Sequence, residues 1–249
     1  MKRIKWMAFG LFGILFSGMV LSSCKKDDIN PQQPDVAGLM AFNLAADLDL
    51  VLTIDGNRLT NSPLSYTHYT GGCVRVYPGS RDVEAFDYPS GDSVATATYN
   101  FEPNRYYSSF VVGSDSNYQQ VIVSDNADSL SATSGKAYVR YINAIPGAAN
   151  AAVTITAGGN EVVNTNTPFA GVSDFVEINP GDFNITVNSG STGTANRTIT
   201  VEEKKAYTVL LVAGADSTKG AEIRYITNGT LEDDAKEKVE LSGRSIRMQ

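Results

Sequence analysis

The chain repeats itself at a spacing of about one hundred residues, and that fact limits its fold more than any other. Asn143 stands 100 positions after Asn43, and Pro180-Gly181 stands 102 after Pro78-Gly79. Gly214-Ala215-Asp216-Ser217 follows Gly113-Ser114-Asp115-Ser116 at 101, with Tyr207 falling on Tyr106. Val153-Thr154-Ile155 runs into Gly158-Gly159-Asn160 as Leu52-Thr53-Ile54 runs into Asp55-Gly56-Asn57. Offsets that drift by only a residue or two mark a tandem duplication with small loop changes. Each copy must therefore be a self-consistent unit of about 90 residues, the size of a small β-sandwich.

Periodicity within each copy agrees. Leu48, Leu50, Leu52 and Ile54 alternate, which is strand spacing rather than helix spacing. Asp55-Gly56 then marks a hairpin, because a type I′ turn needs positive φ. Further strands are expected at 73–77, 82–87, 94–101, 106–112 and 118–123, separated by Pro-Gly, Pro-Ser-Gly-Asp and Gly-Ser-Asp-Ser turns. The predicted fold class is all-β, with two tandem immunoglobulin-like antiparallel β-sandwich domains. Their spans are 38–126 and 137–229, joined by a linker at 127–136 and followed by a charged tail at 230–249.

The N-terminus gives location. Lys2, Arg3 and Lys5 precede an apolar run from Trp6 to Leu21, shorter than the roughly 20 residues that span a bilayer. This predicts a signal peptide at 1–23. Leu21-Ser22-Ser23-Cys24 resembles the bacterial lipobox, which implies cleavage before Cys24, diacylglycerol on its sulfur and usually N-acylation. Lys26-Asp27-Asp28 is similar to a lipoprotein export signal of one Gram-negative phylum, and implies that the anchored protein faces the cell exterior. Residues 24–37 are then the lipidated Cys and a tether. The predicted location is the outer membrane, by lipid anchor, on the cell surface.

Charge and cysteine content exclude several functions. The net charge of −7 becomes −10 once the three basic residues of 1–23 are removed. An acidic body argues against a nucleic-acid partner, which needs a basic face. With Cys24 carrying lipid, Cys73 is alone and cannot close an intramolecular disulfide. No cofactor or metal is expected: one His (His68) and one free Cys cannot fill a zinc shell, and Asp47, Asp49 and Asp55 lack the spacing of a calcium loop. Gly91-Asp92-Ser93-Val94 faintly resembles a lipase nucleophile block, but no His follows position 68 to serve as base. No enzymatic activity is expected. Asp92-Ser93-Val94 and Asp128-Ser129-Leu130 resemble O-glycosylation tripeptides, which puts Ser93 and Ser129 forward as modification sites.

Val139-Arg140-Tyr141-Ile142-Asn143-Ala144-Ile145-Pro146-Gly147 through Gly158-Gly159 resembles the opening of domain-of-unknown-function family 4397. Residues 138–228 fit that pattern, and 39–126 fit it more loosely, with Leu44-Ala45-Ala46-Asp47 where the second copy has Ala144-Ile145-Pro146. The resemblance implies exported, often lipid-anchored β-sandwich proteins with no assigned chemistry. Tyr residues crowd the first copy, and Tyr66, Tyr69 and Tyr118 lie near its loops. Exposed Tyr favours interfaces and can stack on sugar rings, so these three are the candidate ligand contacts. The expected function is a non-catalytic binding or adhesion module for a glycan or a protein. The alternative is a structural spacer or assembly subunit of an outer-membrane complex.

Overall fold

A computed structural model describes residues 35–132, 135–147, 149–214 and 220–231. Cys24, Lys26, Asp27, Asp28, the expected signal peptide and the tail beyond 231 lie outside them. The first repeat is β1 (Ala37–Ala45), β2 (Asp49–Ile54), β3 (Asn57–Arg58), β4 (Val74–Val76), β5 (Gly79–Tyr88), β6 (Ser93–Phe101), β7 (Tyr106–Ser114) and β8 (Asn117–Ser124). The second is β9 (Ala137–Ala144), β10 (Asn150–Ala157), β11 (Asn160–Pro168), β12 (Val176–Ile178), β13 (Gly181–Asn188), β14 (Thr194–Val201), β15 (Lys205–Ala213) and β16 (Ala221–Thr230). Thr230, expected to open the tail, closes β16 instead.

Each repeat is a sandwich of two four-stranded sheets, and the strand orders correspond one for one. The first has β4-β1-β7-β8 over β3-β2-β5-β6, and the second has β12-β9-β15-β16 over β11-β10-β13-β14. The expected tandem antiparallel-rich β-sandwiches are present. All pairings are antiparallel except one per repeat. β1 runs parallel to β7, and β9 parallel to β15.

Turn chemistry explains the hairpins. Asp55 and Gly56 take φ of 47° and 75°, and Gly158 and Gly159 take 57° and 79°. Positive φ at both central residues is the type I′ turn that matches strand twist. Gly113 is required for a different reason: a Cβ there would lie 2.1 Å from the Asn117 carbonyl oxygen, at φ +130°.

Duplicated side-chain bonds tie each repeat together. Asn43 Nδ2 donates to the Leu48 and Leu64 carbonyls, both at 2.7 Å, and Asn143 Nδ2 donates to the Thr167 carbonyl at 3.0 Å. Each Oδ1 accepts the backbone N–H two residues on. These buried amides satisfy carbonyls of neighbouring segments that are partly or wholly shielded from water. Tyr107 Oη accepts the Glu102 N–H at 2.9 Å, and Tyr207 Oη accepts the Glu202 N–H at 3.0 Å. Tyr207 therefore corresponds to Tyr107, at an offset of 100, and not to Tyr106.

The sandwiches are not beads on a string. Every residue of β1 and of β9 is buried, and so are seven consecutive residues in each of β7 and β15. One face of β1 and β7, with Leu39, Ala41 and Val111, fills the first repeat's own core. The other face, with Met40, Phe42, Leu44, Phe110 and Val112, packs on Ile142, Ala144, Leu210, Val212 and Ile226 of the second repeat. Sheets covered on both sides carry continuous apolar runs instead of alternation, as Val209-Leu210-Leu211-Val212 does. The inner sheets are thus back to back, and Phe42 stacks on Phe110 at 4.7 Å between ring centres.

Phe110 is fully buried at this seam. We expect Phe110→Ala to lower unfolding free energy by about 3–5 kcal/mol in urea titration. A loss below about 1 kcal/mol would mean that the seam is not closely packed.

Candidate functional site between the repeats

A charged side chain, Arg140, enters the apolar seam. Arg140 sits in β9 between Val139 and Tyr141, opposite Thr208 in the parallel pairing with β15, and is only 2% exposed. A guanidinium so deeply buried needs a counter-charge and nearly complete hydrogen bonding. Its Nη1 donates to Asp125 Oδ1 at 2.6 Å, Nη2 to Ser108 Oγ at 2.6 Å and Nε to Thr208 Oγ1 at 2.9 Å. Ser108 Oγ in turn donates to Asp125 Oδ2 at 3.2 Å, and Thr208 Oγ1 to Asn228 Oδ1 at 2.7 Å. Asp125 and Ser108 belong to the first repeat, and Arg140, Thr208 and Asn228 to the second. The network therefore bolts the two together.

Two aromatic rings hold the guanidinium. Its carbon lies 4.7 Å from the Phe175 ring centre and 5.9 Å from that of Phe110, both within cation–π range. At the matching place in the first repeat, Met40 stands opposite Ser108. The duplicated halves thus diverge at this position, with an apolar side chain in one copy and a charged one in the other.

Above Arg140 the repeats part into a cleft of about 260 Å³. The end of β8, with Asp125 and Asn126, forms one wall, and Ser173, Asp174 and Phe175 form the other. Asn126 holds a left-handed conformation, φ 45°, that turns the chain at this edge. Its Oδ1 accepts from Ser124 Oγ at 3.0 Å. Asp174 is exposed and Phe175 half-buried.

The three Tyr expected as ligand contacts are placed otherwise. Tyr69 is 7% exposed and stacks on Phe42 at 5.4 Å. Tyr66 donates its hydroxyl across the seam to the Ala213 carbonyl at 2.8 Å. Burial raises the Tyr66 hydroxyl pKa well above the ordinary phenol range. Both rings pack into the seam cluster, Tyr69 buried and Tyr66 half-buried. Tyr118 donates to the Asp47 carboxylate at 2.9 Å, outside the seam. Its pKa is raised, first by burial and then by that carboxylate. The structure brings Tyr66 and Tyr69 together and leaves Tyr118 apart. The exposed Tyr are instead Tyr77 and Tyr88, at 64% and 52%.

Other sequence features resolve into local structure. Asp55 accepts the Asp82 N–H at 3.0 Å and pairs with Arg81 at 3.0 Å, a hairpin brace. Among the described residues no group of three or more His, Cys, Asp or Glu is arranged to hold a metal ion. His68 Nδ1 lies 3.1 Å from the Tyr66 carbonyl oxygen. Ser90, Gly91 and Asp92 form the β5–β6 turn, where Ser90 Oγ donates to Asp87 and accepts the Asp92 N–H. The Cys73 thiol is pushed up to about 12, chiefly by burial, which suppresses the reactive thiolate. Ser93 and Ser129 are both exposed.

Arg140 and Asp125 were not identified from sequence as site residues. A lone Arg inside the apolar run Val139 to Ile142 was the available signal, since a charge on an inward-facing strand position demands a partner.

The fold and seam define a tandem β-sandwich protein. The family description "Domain of unknown function (DUF4397)" matches residues 35–150 and again 137–243, so the chain belongs to that family. No curated protein matches. Thirteen chains among solved structures do. One is CBMbc (family CBM26) from Eubacterium rectale Amy13K, in complex with maltoheptaose. It is 12% identical with a TM-score of 0.24, over 75% of this chain and 95% of that one. A likeness of that size carries no argument about ligand.

Removing one partner of a buried pair strands the other charge. We expect Asp125→Ala to cost about 3–5 kcal/mol, while Asp125→Leu combined with Arg140→Met, which restores the Met of the first repeat, recovers most of that loss in chemical denaturation. Equal losses in the single and double variants would contradict the pairing.

Proposed function

We propose that the protein is a lipoprotein anchored in the outer membrane through lipid on Cys24 and facing the cell exterior. There it acts as a non-catalytic binding module for a glycan or a protein. The observation that supports binding is the cleft between the repeats. It is concave and lined by a buried guanidinium, carboxylates, an amide and an aromatic ring, the mixture of a few polar groups with apolar surface found in ligand sites. A passive spacer needs the fused, stiff body but has no use for such a cleft. Location rests on Leu21-Ser22-Ser23-Cys24 and on Lys26-Asp27-Asp28, and anchoring by two or more acyl chains is stable where a single chain is not.

Labelled palmitate tests the anchor. Wild-type protein should incorporate it and Cys24→Ala should not, and protease added to intact cells should remove the wild-type protein. Label on Cys24→Ala contradicts the anchor, and full protection from protease contradicts the orientation.

A further inference from the structure

The cleft keeps unused hydrogen-bonding capacity of both kinds. Arg140 carries five N–H donors and uses three, on Asp125, Ser108 and Thr208. The remaining two, one on each Nη, have no acceptor among the described residues, on a side chain buried to all but 2%. Asn126 accepts through Oδ1 and leaves its two amide hydrogens without a partner there. On the opposite wall the Asp174 carboxylate is exposed and receives no hydrogen bond from a described residue, its backbone carbonyl alone accepting, from Ser173 Oγ. Arg140 and Asn126 thus line the cleft with donors to spare, and Asp174 lines it with a spare acceptor. Phe175 supplies an apolar ring beside them.

Charge narrows what can fill it. Asp125 already balances Arg140, so Asp174 is left as the uncompensated charge, and an anionic ligand would be repelled. Hydroxyl groups both donate and accept, so adjacent hydroxyls on one ring can meet Asp174 on one side and Arg140 or Asn126 on the other. The C–H face of such a ring can lie against Phe175. At about 260 Å³ the cleft falls just below the roughly 300–1,000 Å³ of ordinary small-molecule sites. That is room for one ring and not for a chain threading through. We propose that the cleft between the repeats binds a single uncharged sugar ring, either free or as the terminal unit of a longer glycan. This rests on the binding-module reading above and names its ligand class.

Purified full-length protein in detergent can be tested by saturation-transfer NMR and titration calorimetry. The probes are glucose, galactose, mannose and N-acetylglucosamine with their short oligomers, and glucuronate and trilysine as charged comparators. At least one neutral sugar should bind. Asp174→Ala, at an exposed position, and Asn126→Gly, which keeps the left-handed backbone of that exposed residue accessible, are expected to stay within a few degrees of the wild-type melting temperature and should each weaken it by about tenfold or more. Tyr88→Ala, on the outer sheet of the first repeat, should change nothing. If a sugar binds with unchanged affinity to both cleft variants, the assignment to this cleft is overturned while the binding-module reading survives. If trilysine binds in place of sugars and Asp174→Ala abolishes it, the ligand class is overturned and the site is kept. If none of the probes binds, the proposal fails.

Discussion

One buried ion pair decides how the two halves of this molecule meet. Arg140 and Asp125 approach to 2.6 Å across the boundary between the repeats, with Ser108, Thr208 and Asn228 completing the network. Such a pair is not a large net source of stability, because removing both charges from water offsets most of their attraction. Its effect is on register. The apolar surfaces of the inner sheets could slide over one another with modest loss, but a shift that separates Arg140 from Asp125 leaves two buried charges unmatched. Hydrophobic contact therefore supplies the adhesion, and the ion pair fixes the geometry.

That geometry creates the cleft. With the inner sheets locked back to back through Phe42, Phe110, Ile142 and Leu210, the end of β8 is held beside the segment that carries Asp174 and Phe175. Neither repeat alone contains both walls. The duplication has consequently produced something that a single copy lacks, and the departure from internal symmetry, Met40 against Arg140, lies at the base of that feature. Divergence where the copies touch is what a new function on a duplicated scaffold requires.

Much of this was legible in the sequence. The offsets between Asn43 and Asn143 and between the Pro-Gly turns revealed the duplication, because caps and turns depend on local chemistry that each copy must preserve. Asp55-Gly56 specified its hairpin for the same reason. What could not be read was which apolar face meets which. Phe110-Val111-Val112 and Val209-Leu210-Leu211-Val212 look like ordinary buried strands, and the second apolar face signals a partner without saying that the partner is the other repeat. Tyr66 and Tyr69 misled for a related reason. They lie in a loop-rich stretch, which suggests exposure, yet that stretch folds over the seam, burying Tyr69 and half-burying Tyr66. Arg140 was visible as an anomaly, but its partner fifteen residues earlier became evident only in three dimensions.

The central claim is that the two repeats form one cooperative body through this seam. Native-state hydrogen exchange tests it most directly, by comparing the inner-strand amides of β1 and β7 with those of β9 and β15 as denaturant is raised. A shared core predicts that all four strands exchange with the same opening free energy and the same denaturant slope. Two distinct sets, with one repeat opening while the other stays protected, would contradict it.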